Sequence, residues 1–124
     1  MSEQQADRPA APRASRPRMG GYGVPQSTQG MLPWSFARER LERARNYWVC
    51  TVRPDGRPHA APVWGVWAKN ALYFETARTS QKARNLAANP AIVVHLESGD
   101  EVVIIEGTAG QAGSLPAASA WKKR

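Results

Sequence analysis

Five short runs of β-type residues, each bounded by turn residues, set the tightest limit on what this chain can form. Residues 47–52 are mostly aromatic and β-branched, and Pro54-Asp55-Gly56 after them reads as a turn, because Pro presets φ and Gly admits a positive φ. A hairpin is therefore predicted. Its second arm, 59–68, carries Val63, Trp64, Val66 and Trp67, and Pro62, which has no N–H to give a ladder, marks an edge or a bulge within it. Lys69-Asn70 turns the chain into a third strand over 72–76. Further on, Ile92, Val94 and Leu96 alternate with Val93 and His95, while 102–105 is a continuous apolar run of the kind buried on both faces.

Two helical patterns flank these strands. Trp34, Ala37, Leu41, Ala44 and Trp48 recur at alternating steps of three and four, with Arg38, Glu39, Glu42 and Arg43 on the other faces as i,i+4 partners. Ser35 is the expected N-cap of this amphipathic helix. The second helix is predicted over 80–89, with Ala83, Leu86 and Ala87 on one face. Asn89-Pro90 stops it, since Pro disfavours the α conformation of the residue before it. The order helix, three strands, short helix, two strands predicts a mainly β fold with flanking helices, a small barrel or strongly curled sheet.

With 124 residues the chain can build one domain with a modest core. Residues 1–31 read as a disordered Pro/Arg-rich leader, too poor in apolar residues to offset its ordering entropy. Residues 32–109 are the folded domain, and 110–124 an irregular basic tail. Most of the net charge of +7 falls in the two terminal stretches, a distribution that serves solubility or weak non-specific attraction rather than specific nucleic-acid binding. The one cysteine, Cys50, excludes an internal disulfide and reads as a small buried apolar residue. The two histidines, far apart in sequence, do not assemble a metal cluster. With no secretory apolar segment and no apolar run of about 18 residues, a cytoplasmic protein without a membrane span is expected.

Arg78-Thr79-Ser80-Gln81-Lys82 is the stretch richest in chemistry. Cations around a helix start oppose the helix dipole by roughly a few tenths of a kcal/mol each unless an anion sits between them and the free backbone N–H groups. Two readings are open: an exposed cap with solvated cations, or a phosphate site that uses the Thr79 or Ser80 hydroxyls and the charge of Lys82. Trp64 and Trp67 fall on opposite faces of a regular strand, so at most one lines the core. The other finds a cofactor ring, a second subunit or a covering helix. His59 reads as a strand-end surface residue or as a neighbour of a bound ring, and His95 as an outward-facing strand residue.

The run Asp55-Gly56-Arg57-Pro58-His59-Ala60-Ala61-Pro62-Val63-Trp64, then Leu72-Tyr73-Phe74, then Thr79-Ser80-Gln81-Lys82-Ala83-Arg84-Asn85-Leu86 with Asn89-Pro90 resembles the pyridoxamine 5'-phosphate oxidase-like family of FMN-binding split barrels. The likeness is greatest to the branch that uses FMN or the deazaflavin coenzyme F420. It implies a split β-barrel, a homodimer with cofactor at the subunit interface, and hydride transfer to or from a small organic substrate. By this resemblance Thr79, Ser80 and Lys82 hold the cofactor phosphate, with Thr76, Arg78 and Gln81 beside them, and Val63, Trp64 and Gly65 run along the ring. No catalytic side chain is implied.

Three departures qualify the transfer. Gln81 stands where the family often has Arg, which removes a bidentate phosphate donor. Residues 61–66 lack the Arg and Lys with which the pyridoxamine-phosphate oxidases proper grip FMN, so that particular activity is not expected. After Glu106-Gly107-Thr108-Ala109 the chain lacks the closing helix and strands of the family, so the barrel is expected to be incomplete at its C-terminal side. The alternative function is accordingly a cofactor-binding split barrel without turnover.

Overall fold

The computed structural model describes residues 12–15 and 31–112. The expectations for the leader and for most of the basic tail lie outside the described residues. The elements are α1 (Trp34–Arg43), β1 (Asn46–Val52), β2 (Pro58–Ala68), β3 (Ala71–Phe74), α2 (Gln81–Ala88), β4 (Ala91–His95) and β5 (Ile104–Thr108). The five strands form one antiparallel half-barrel sheet in the order β3-β2-β1-β4-β5.

The turns do what their residues allow. Between β1 and β2, Gly56 takes φ +91°, and the Arg53 N–H donates to the Arg57 carbonyl at 2.9 Å. Asp55 accepts from the Arg57 N–H at 3.1 Å and from its Nε at 2.9 Å. The β2–β3 hairpin closes on Lys69 and Asn70, both left-handed at φ 54° and 62°, the pair of positive values a two-residue hairpin needs. Asn tolerates this region well; Lys holds it only because the flanking register demands it.

Register then assigns the faces. Tyr47 pairs with Val63, and Val49 with Ala61 and Val94, so the odd positions of β1 share one face. That face, with Leu41, Trp67 and Val103, is the core. Helix α1 covers it. Trp34 packs on Trp67 with ring centroids 6.1 Å apart, and the Tyr47 hydroxyl donates to the Leu41 carbonyl and lies 3.1 Å from that of Ala44, satisfying groups a helix end leaves open.

Five expectations are corrected. The helix stops at Arg43, because Ala44 is extended (ψ 148°), and Trp48 belongs to β1 on the face away from the core; the three-and-four spacing ran on across the junction by coincidence. Pro33, not Ser35, is the N-cap, and no side chain caps that end. The apolar run 102–105 is not buried on both faces: β5 begins at Ile104, and Val102 and Ile104 are exposed, since β5 is the outermost strand with one face unpacked. Cys50 is half-buried on the far side of the sheet rather than in the core. The third strand also ends at Phe74, two residues early.

Candidate functional site

The strand that carries Val63, Trp64 and Gly65 has two unlike flanks. Along one side β2 pairs with β1 from Pro58 to Trp64, whereas on the other side β3 reaches only from Gly65 to Ala68. The backbone flank of β2 before Gly65 therefore has no strand partner among the described residues. Pro62 lies in this stretch, as expected of a residue that cannot donate to a ladder. The Gly65–Phe74 pair brings β2 to the end of β3, and from there the chain turns away through Glu75 to Ser80 into α2. Topology thus sets the Val63–Gly65 stretch beside the loop that carries the cationic motif.

Helix α2 begins where the sequence indicated. Ser80 is its N-cap, with an extended backbone, and its hydroxyl accepts from the Ala83 N–H at 3.2 Å. The Thr76 hydroxyl lies 2.9 Å from that of Ser80, which ties the loop to the cap. No acidic residue stands in the first turn. Among the described residues, neither Arg78 nor Lys82 has an acidic partner, and no protein carbonyl takes the N–H of Gln81 or Lys82. Thr79 and Arg78 are exposed and Lys82 is half-buried. Such a helix start presents open donors and uncompensated positive charge together, and this fits a phosphate group.

The other motif residues are differently engaged. The Gln81 side chain is turned along the helix: its Nε2 donates to Asn85 Oδ1 at 2.7 Å, and its Oε1 accepts from Arg84 at 3.0 Å. Val63 is a core residue. Gly65 is buried, and a Cβ there would lie 2.9 Å from both the Tyr73 carbonyl oxygen and Leu72 Cδ1. Its glycine is thereby explained by strand packing. Trp64, 63% exposed, stands on the opposite face under the Arg45 guanidinium, 4.7 Å from the ring centroid, while Trp67 is the tryptophan in the core. His59 is half-buried and pairs across the strands with Thr51, and its Nδ1 is buried without a hydrogen-bond partner. His95 faces away from the core, stacked on Trp48 at 6.2 Å.

Asn85 and Thr51 were not singled out by sequence reasoning. Asn85 is fully buried and donates from Nδ2 to Thr51 Oγ1 at 2.9 Å. The signal is the i,i+4 spacing from Gln81, which the small and apolar residues Ala83, Leu86 and Ala87 mask in the helical pattern. Among the described residues there is no cluster able to hold a metal ion, and no helix long and apolar enough to cross a membrane.

A half-barrel sheet with a short helix set between β3 and β4 defines a protein of the split-barrel class. The chain belongs to the pyridoxamine 5'-phosphate oxidase family, whose model matches residues 35–122. Among solved structures, an F420 reductase is similar at 31% identity and TM-score 0.55, over 60% of this chain and 61% of its own. A conserved hypothetical protein of Mycobacterium tuberculosis is similar at 27% identity and TM-score 0.66, over 81% of this chain and 69% of its own. A pyridoxamine 5'-phosphate oxidase-related, FMN-binding protein from Nostoc punctiforme shares the fold at 21% identity and TM-score 0.51, over 64% of this chain and 47% of its own. The chain thus spans about three fifths of the F420 reductase it matches. No curated protein matches it.

Proposed function

We propose that this chain binds a phosphorylated cofactor of the flavin type, FMN or coenzyme F420, at the start of α2 and serves as an oxidoreductase acting on a small organic substrate in the cytoplasm. The observation that carries the reading is the pair of uncompensated cations, Arg78 and Lys82, at a helix start with no acidic residue in its first turn. When bound, the cofactor supplies hydride transfer; the protein supplies position and a sheltered setting. The N–H groups of Gln81 and Lys82, the Thr79 hydroxyl and the Lys82 ammonium would hold the phosphate. The Ser80 hydroxyl, already shared with Thr76 and Ala83, would shape the loop more than grip the ligand. The open flank of β2 from Val63 backward would receive the polar edge of the ring, with backbone groups as its partners. Family membership and the likeness to an F420 reductase support this reading.

Lys82→Ala is expected to weaken cofactor binding by roughly 1–3 kcal/mol, since a charge-assisted contact is lost. Titration of the purified chain with FMN and with coenzyme F420, followed by absorbance and fluorescence, checks this; an unchanged affinity sinks the site. A second reading is cofactor binding without turnover by the same site. Stoichiometric binding without reductase or oxidase activity would decide for it. In either case we propose a homodimer, because Trp64 and Ile104 are both exposed on the sheet face away from α1.

A further inference from the structure

We infer that the Gln81 side chain positions the phosphate site instead of touching the phosphate, acting through a one-way hydrogen-bond relay from Arg84 to Gln81 to Asn85 to Thr51. The inference rests on the cofactor reading above and deepens it.

The direction of the relay follows from the donor chemistry. Arg84 can only donate, so the oxygen of Gln81 faces it at 3.0 Å. The Gln81 amide nitrogen is then left to donate to Asn85 Oδ1 at 2.7 Å, which turns Asn85 Nδ2 onto Thr51 Oγ1 at 2.9 Å. Both ends of the Gln81 amide are engaged by residues three and four positions further on. The side chain therefore lies a turn away from the open amides, on the far side of them from any phosphate.

Asn85 and Thr51 are the buried polar residues of the described chain, and Asn85 is the one fully buried residue of α2. An eight-residue helix anchored by a polar residue has its register on β1 set by a directional bond rather than by sliding apolar contact. Gln81 fixes which end of the Asn85 amide meets Thr51. Without it the amide can turn over, and the first turn of the helix, with Thr79 and Lys82, loses its fixed place.

The test compares FMN with riboflavin, and coenzyme F420 with its phosphate-free deazaflavin core, on the full chain by fluorescence titration. Gln81→Ala and Thr51→Val are each expected to lower affinity for the phosphorylated form roughly 3- to 10-fold and to leave the phosphate-free form unaffected. The two substitutions together should be no worse than either alone, because they break one relay. Thr51→Ser, which keeps the hydroxyl, should bind as the unaltered chain does. Lys82→Ala should flatten the salt dependence of binding, whereas Gln81→Ala should leave it intact. Additive losses in the double variant, or unchanged discrimination in Gln81→Ala, would overturn the inference while leaving the phosphate site standing. Equal loss of both ligand forms would also overturn it, since the relay would then support the fold as a whole. If the unaltered chain shows no preference for either phosphorylated form, the cofactor reading falls and takes the relay's role with it.

Discussion

Gly65 and Tyr47 show how single residues hold the site's scaffold. A Cβ at Gly65 would press on the backbone oxygen of Tyr73 and on Leu72 at 2.9 Å and on Tyr47 Cδ1 at 3.2 Å, and a backbone oxygen in a strand ladder cannot move aside. Gly65→Ala is expected to destabilise the fold by about 1–3 kcal/mol through overpacking, read as a lower midpoint in urea unfolding. Tyr47 is fully buried, and its hydroxyl serves the last carbonyls of α1. Tyr47→Phe keeps the ring packing but leaves that hydrogen bonding undone, a cost of about 1–3 kcal/mol in the same assay. A loss much smaller than this would mean that water reaches the end of α1.

Among the elements, α1 is secured in its last turn by Arg40, whose Nε donates to Glu101 at 2.6 Å and whose guanidinium also lies 3.5 Å over the Phe36 ring. The hydrogen bond from Arg40, and then its charge, hold the Glu101 carboxyl below its ordinary range. A carboxyl whose value is lowered by folding contributes stability that is fully present above its unfolded value and is lost as pH falls through the folded one. Asp55, lowered by its hydrogen bonds from the Arg57 backbone and side chain, acts with the same sign in the β1–β2 turn. Both groups are exposed, so the effect is modest. Glu101→Gln is expected to melt at a lower temperature than the unaltered chain at neutral pH, with the gap closing as pH drops below the carboxylate range. A gap that stays constant with pH would remove the charge from the explanation.

At the scale of the whole molecule, one face of the sheet is covered by α1 and, at Thr51, by α2, while the other face carries exposed apolar residues. Trp64, Trp48 and Ile104 lie on that other face, and Trp64 and Ile104 are 63% and 56% exposed. Large apolar residues exposed on one face of a sheet tend to mark an interaction surface. Trp64→Glu combined with Ile104→Glu should therefore shift a dimer to a monomer in size-exclusion chromatography with light scattering, while the far-UV spectrum stays the same. A monomer before substitution would refute the proposed dimer.

Local chemistry determined much of this protein without any help from the fold. The Pro54-Asp55-Gly56 turn, the Lys69-Asn70 hairpin, the Ser80 cap and the stop at Asn89-Pro90 each depend on residues within four positions of one another, so they could be read directly from the chain. The cationic motif at the start of α2 was legible for the same reason. What only the tertiary structure decided was how residues far apart in sequence are partnered: Trp67 rather than Trp64 in the core, and β5 as an exposed edge. The Asn85–Thr51 bond spans 34 positions. Periodicity reports which residues can share a face, but which face is covered, and by what, follows from strand order and packing, and these are properties of the assembled sheet.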